Sequence, residues 1–290
     1  MNALKKIVSF FIGGYKTNNH LRIFKNTLYW INNDAFLKNC AEQSICRQEI
    51  IKGNDTLLGY LPSEDEKCQI YVTKHRTLEA ARHYNNYKVC VLNFANATNP
   101  GGGVTISKGP SGQEECLCRV STLYKCINSK DALESFYYPH KTHNQNNLHN
   151  DDIIYTPNVI VFKDDDNHLL DRSQWFNVDV ISCAAPNIGN DLRGEPNIVG
   201  VDNIELQQIH IKRATRILDV AVHHKVEILI LGAFGCGAFG NSPDIVAEAY
   251  KSILAKYQKC FKKIIFAIYC KYDDLNYQVF NNIIEGTSIN

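Results

Sequence analysis

The sequence has no excess of either charge: 31 Lys+Arg stand against 30 Asp+Glu over 290 residues, a formal net charge of +1. Such a chain has no global electrostatic footprint for gripping nucleic acid or an anionic membrane surface. Long apolar runs are missing too, and nothing approaches the ~20 residues needed to cross a bilayer. There is no Cys-x-x-Cys pair among the eleven cysteines, so neither a zinc ribbon nor a disulfide framework is indicated. Eleven is odd, so at least one thiol cannot pair within the chain, and the expected setting is reducing and cytoplasmic. No internal repeat is visible. With 44% hydrophobic residues the chain is too apolar to be largely disordered. Its length suits one large domain, or one domain with an accessory segment. Residues 7–15 (IVSFFIGGY) follow two lysines and faintly resemble a signal peptide. No small-x-small cleavage site comes after them, and a packed helix start is the expectation.

Hydropathy patterning divides the chain. Leu21, Phe24, Leu28, Ile31 and Phe36 recur at near-helical spacing, so residues 1–62 read as a helical accessory segment. From 63 to 290 strands and helices alternate. Strands are predicted at 69–72, 87–94, 152–155, 159–162, 178–183, 226–231 and 263–269; helices are predicted at 73–84, 113–135, 203–223 and 243–257. Several strands are near-continuous apolar runs (VCVLNF, EILILGAF, IIFAIY), the mark of strands covered on both faces. The fold class is therefore α/β, a mixed and largely parallel sheet sandwiched by helices, with an N-terminal helical extension. The biased stretch 140–152 (HKTHNQNNLHNDD) reads as a polar loop. Ligands of such sheets sit beyond the carboxyl ends of the strands, where two unusual loops occur.

The first follows VLNF: Ala95-Asn96-Ala97-Thr98-Asn99-Pro100, then Gly101, Gly102 and Gly103, a spacer, and Gln113, Glu114 and Glu115 opening a helix. Consecutive glycines are tolerated where the main chain approaches something closely or takes positive φ, and their N–H groups can hold phosphate oxygens. A flexible surface loop before an acidic helix start is the alternative. Adjacent helical residues point about 100° apart, so the two glutamates would not flank one bond as a glycosidase pair does. One as acid/base and the other as a substrate holder fits better.

The second loop follows ILILGAF: Gly235, Cys236, Gly237, Ala238, Phe239, Gly240 and Asn241, then Ser242 as N-cap and Pro243 in the first helical turn. A strand, a glycine turn and a helix N-terminus make an anion site. Residues 235–240 spell GxGxxG, but so late in the chain, with no acidic residue ending the next strand, they do not make a dinucleotide-dehydrogenase fingerprint. A nicotinamide-dependent oxidoreductase is disfavoured accordingly.

Taken together, NFANATNPGGG, QEECLCRVSTLY and LGAFGCGAFGNSP resemble the bacterial-type poly(ADP-ribose) glycohydrolases of the macrodomain superfamily. VTKHRTLEAAR, IIYTPNVIVFKDDD, VISCAAPN and FAIY extend the likeness, which runs from about Asp34 to Phe280. The resemblance implies a three-layer α/β/α macrodomain that binds ADP-ribose over the strand ends. It also implies hydrolysis of the ribose–ribose bond of poly(ADP-ribose), or of a related ADP-ribosyl linkage on protein. By motif match Glu115 would be the acid/base, Glu114 would hydrogen-bond the reacting ribose, and Asn96 would orient it. Gln113 is counted with the substrate-binding set. Gly101, Gly102 and Gly103 and the run from Gly235 to Asn241 would embrace the diphosphate, with Phe239 against the ribose. Tyr269 would stack on adenine. ADP-ribosylated proteins or the polymer are the implied partners of a monomer needing no cofactor and no metal. A reader that binds without cutting, and a hydrolase of mono-ADP-ribosylated protein, are the alternatives. The spacer 104–112 is longer than the resemblance leads one to expect, and Phe234 stands where the family usually has Trp.

Other residues read blandly. Cys116 and Cys118 do not share a helix face and are core-type residues. His140, His143, His149, Asp151 and Asp152 lie in an irregular Asn-rich stretch rather than a metal-ligand pattern. His223-His224 reads as a helix end and Lys262-Lys263 as a solvated turn.

Overall fold

The computed structural model describes residues 20–57, 67–106, 112–143, 147–189, 201–272 and 274–285. The run 7–15 and spacer residues 107–111 lie outside them. Among the described residues seven strands form one sheet in the order β1-β4-β5-β3-β6-β7-β2. They are β1 (Glu49–Ile51), β2 (Gln69–Thr73), β3 (Val89–Phe94), β4 (Ile153–Val161), β5 (Phe176–Cys183), β6 (Ile228–Leu231) and β7 (Lys263–Ala267). Strands β5, β3, β6, β7 and β2 pair in parallel, while β4 runs antiparallel to both β5 and β1.

The apolar runs earn their place by facing two cores. Cys90 and Leu92 of β3 point into one cluster and Val89 and Val91 into another; β6 alternates the same way. The helices, in chain order, are α1 (His20–Asn33), α2 (Ala35–Cys46), α3 (Thr77–Arg82), α4 (Gln113–Val120), α5 (Leu123–Ile127), α6 (Lys130–Ala132), α7 (Tyr138–His143), α8 (Asn203–His223), α9 (Pro243–Leu254) and α10 (Leu275–Phe280). Helices α8, α9 and α10 cover the first core; α1 and α3 to α6 cover the second. The result is the expected three-layer α/β/α arrangement with a mixed, largely parallel sheet. No described helix is long and apolar enough to cross a membrane.

Four local expectations are corrected. Glu49–Ile51, within the segment read as helical, is an edge strand pairing with β4. The two strands expected at 152–155 and 159–162 are one strand with a bulge between Thr156 and Val159. Pro157 has no N–H for the ladder, and Asn158 takes φ 54° while its N–H donates to Asp179 Oδ1 at 2.9 Å. The single helix expected over 113–135 breaks at Ser121, which turns extended and bridges to Val161. The cause is tertiary. β1 pairs only as far along β4 as Tyr155, so the Ile160 and Phe162 N–H groups are taken by Thr122 Oγ1 and the Val120 carbonyl. Finally, the polar stretch 140–152 starts inside α7 and ends on buried carboxylates, Asp151 and Asp152.

Candidate active site

β3 and β6 are neighbours in a parallel pair, so the loops after their carboxyl ends lie side by side. Phe94, ending β3, and Phe234, just past β6, have ring centroids 5.7 Å apart. Helix α4 is bolted to the end of β3 by Gln113. Its Oε1 accepts from Phe94 N at 2.9 Å, and its Nε2 donates to Leu92 O at 2.6 Å and Thr77 Oγ1 at 3.2 Å. Both polar atoms of the Gln113 side chain are thus engaged within the protein.

This anchor buries both glutamates. Glu114 Oε2 accepts from Asn96 N at 2.8 Å, and its Oε1 accepts from Asn93 Nδ2 at 3.2 Å and Gly101 N at 3.3 Å. Those three donors occupy three of the roughly four acceptor positions of a carboxylate. Burial still wins: desolvation pushes the Glu114 carboxyl up to about 8, against the opposing pull of these N–H donors. Glu115 Oε1 accepts from Gly103 N at 2.9 Å. Its carboxylate is wedged between two glycines: a Cβ on Gly102 would sit 2.6 Å from Oε1, and a Cβ on Gly112 would sit 2.6 Å from Oε2. Gly102 also has φ +56°, a conformation open to glycine at little cost.

The three glycines therefore differ from the diphosphate cradle expected of them. Gly101 and Gly103 direct their N–H groups to Glu114 and Glu115, and Gly102 donates to Asn99 O at 2.9 Å. Two carboxylates withdrawn from water need donors, and the nearest backbone supplies them. The Asn96 side-chain oxygen is similarly committed, since Oδ1 accepts from Thr98 N and Asn99 N, both at 2.9 Å.

The second loop keeps its donors. Gly235 and Gly240 take positive φ, and among the described residues the N–H groups of Gly237, Ala238 and Phe239 meet no acceptor. Three consecutive N–H groups without an acceptor are donors available to an anion. Asn241 holds the loop in shape: its Nδ2 donates to Pro186 O at 2.7 Å and Gly235 O at 3.0 Å, and its Oδ1 meets His210 Nε2 at 2.8 Å. Its amide nitrogen faces carbonyls, so Oδ1 accepts and His210 donates through Nε2–H. Burial pushes His210 down to about 4, keeping the ring neutral. Ser242 is the N-cap of α9 by backbone, but its side chain makes no capping bond. Burial pushes the Cys236 thiol up to about 12, which suits a backbone contribution rather than a reactive thiolate.

Outside both loops, Tyr269 is half exposed, with the Arg76 guanidinium 4.5 Å from its ring centroid. The acidic end of the polar stretch is occupied by cations. Asp151 faces Lys212 at 2.6 Å and buried Arg213 at 3.1 Å; Asp152 faces Lys52 at 3.1 Å. Burial opposes ionisation of Asp151, but Lys212 and Arg213 outweigh it and hold its carboxyl below the usual range.

A family model described as microbial-type PARG, catalytic domain, matches residues 19–164, half of the chain. The chain belongs to this family. Among solved structures it is similar to poly(ADP-ribose) glycohydrolase from Thermomonospora curvata, with 28% identity and a TM-score of 0.80 over 92% of this chain and 100% of that one. The same enzyme bound to the inhibitor ADP-HPD matches at 27% identity, a TM-score of 0.75, and 91% and 98% coverage. Poly(ADP-ribose) glycohydrolase from Deinococcus radiodurans in complex with ADP-ribose matches at 28% identity, a TM-score of 0.70, and 85% and 97% coverage. No curated protein matches the chain. The family match spans the first loop and both glutamates of this PARG-family chain, and the structural likenesses extend over most of it.

Several residues of the site escaped the sequence reading. Asn93 and Ser182 lie in apolar strands and bond to each other at 3.0 Å beneath Glu114. A polar residue inside VCVLNF was the available signal for Asn93. His210 and Arg213 gave none, since a polar residue on a long amphipathic helix looks solvent-facing until the fold is known.

Proposed function

We propose that the protein is a glycohydrolase that binds ADP-ribose and hydrolyses the O-glycosidic ribose–ribose bond of poly(ADP-ribose), releasing ADP-ribose. The observation that carries this reading is the Glu115 carboxylate wedged between Gly102 and Gly112, near the strand end beside a loop with three N–H groups that meet no acceptor among the described residues. Membership of the microbial-type PARG family and the ADP-ribose and ADP-HPD complexes of its structural relatives support it.

In this scheme the N–H groups of Gly237, Ala238 and Phe239 receive the diphosphate, helped by the N-terminus of α9. Phe239 packs on the ribose next to it. The Glu115 carboxyl gives its proton to the leaving ribose oxygen as the glycosidic bond breaks. As a carboxylate it then takes a proton from the water attacking the oxocarbenium-like carbon. Glu114, protonated below about pH 8, carries its O–H at the one position beyond its three hydrogen bonds and donates it to a hydroxyl of the reacting ribose. Asn96 acts chiefly through its loop. Tyr269 remains the choice for adenine, and the chain works as a monomer whose hydrolysis uses no catalytic metal and no redox cofactor. All eleven cysteines are free, which supports a reducing compartment.

The test is ADP-ribose release from poly(ADP-ribose) and from mono-ADP-ribosylated protein by the parent and by Glu115→Gln. Loss of general acid/base catalysis lowers release from the polymer by at least about 100-fold. Release that persists in the variant overturns the mechanism. ADP-ribose binding without release by the parent makes the chain a reader.

A further inference from the structure

At the opposite end of the sheet from the glutamates, three metal-ligand types converge. Glu49 opens edge strand β1, and His223 and His224 stand at the carboxyl end of α8. One ligand atom from each lies within 4.8 Å of the other two. We propose that Glu49, His223 and His224 bind a divalent ion of the zinc class, which clasps the edge strand to the end of the long helix.

Four observations carry this. First, His224 Nε2 is buried and has no hydrogen-bond partner. Its near neighbour, Glu49 Oε2, is 3.6 Å away, too far for a hydrogen bond. That separation is close to the edge of a tetrahedron around an ion with bonds of about 2.0–2.1 Å, which is about 3.3 Å. Second, the ring is preset: His224 stacks on Tyr155 with centroids 3.5 Å apart and planes within 3°, and the Tyr155 hydroxyl donates to Asp179. Third, the set of two imidazole nitrogens and one carboxylate oxygen suits zinc, cobalt or nickel, whereas calcium and magnesium prefer oxygen alone. Fourth, the surrounding field tolerates a cation. The carbonyl end of α8 is its negative pole, and the Lys88 ammonium is engaged by the His224 carbonyl at 2.6 Å and Asp179 at 3.6 Å.

The clasp has a purpose in the fold. β1 is three residues long and pairs with β4 alone. A cross-link from Glu49 to α8 fastens the segment that carries α1 and α2. The site is separate from the glutamates, because β3 runs about 20 Å from Lys88 beside His224 to Phe94 beside Gln113.

The test is zinc titration of the chelator-stripped full chain by calorimetry, paired with absorption of the cobalt-loaded protein, since eleven thiols could also take metal. The expected result is one ion per chain, a cobalt spectrum without a thiolate charge-transfer band, and a Tm raised by zinc. Glu49→Gln and His223→Gln, each checked for folding by circular dichroism, weaken zinc by at least about tenfold and lose the Tm response. No zinc binding by the parent, equal affinity in both variants, or a cobalt spectrum dominated by thiolate ligation would each overturn the proposal.

Discussion

Glu114 makes the stability of this protein depend on pH in an unusual direction. Its carboxyl, ordinarily near 4.5, is pushed up to about 8 in the fold, chiefly by burial. Between those values the folded chain keeps a proton that the unfolded chain has lost. Stability is therefore highest, as far as this group is concerned, below about pH 4.5, falls through the window, and levels off above about pH 8. At about 1.4 kcal/mol per pH unit the full effect is about 5 kcal/mol. Glu114→Gln removes the titration. The amide cannot accept from all three of Asn93, Asn96 and Gly101, so the variant carries a constant cost of about 1 kcal/mol. The signature is thus a slope and not a level.

Other groups titrate in the same range. His149, His210 and His224 are each pushed down to about 4 by burial, so they lose stability as pH falls below about 6.5, the opposite sense. They are common to parent and variant and cancel in the difference. Denaturant unfolding of both proteins from about pH 5 to about pH 9 reads that difference directly. It should move in favour of Glu114→Gln by several kcal/mol as pH rises. A difference that stays flat would mean that Glu114 ionises normally, and that its hydrogen-bond donors outweigh its burial.

Three further outcomes are expected. Gly102→Ala forces a side chain onto φ +56° and against Glu115 Oε1, so ADP-ribose release falls by about 100-fold while ADP-ribose affinity changes little, as kcat against KM on the polymer would show. Asn241→Ala strands His210 and the Pro186 and Gly235 carbonyls, costing about 3 kcal/mol in denaturant unfolding and weakening ADP-ribose in calorimetry through a loosened second loop. Arg213→Met leaves Asp151 buried with only Lys212, and also loses bonds to the Ala184 and Leu148 carbonyls, both at 2.9 Å; a loss of about 3–5 kcal/mol follows, read as a lower midpoint.

The central strands could be read from the chain because covering both faces makes nearly every residue apolar, and β3, β6 and β7 show it. The breaks in the 113–135 helix could not. Ser121 leaves the helix to satisfy the β4 backbone beyond the reach of β1, and that need arises only once β1 and β4 have paired. The same distinction runs through the site. Three successive glycines ahead of two glutamates announced that the backbone must come close to something. Composition could not say whether that something was a ligand or the protein's own carboxylates, because a phosphate and a buried glutamate ask for the same N–H donors. Gly101 and Gly103 give their N–H groups to the buried Glu114 and Glu115, whereas the N–H groups of 237–239 meet no acceptor among the described residues. A glycine run within reach of a buried acid is thus better read first as that acid's donor set. It becomes a ligand cradle only where its N–H groups are left over, which makes the second loop of this chain, rather than the first, the place to look for the diphosphate.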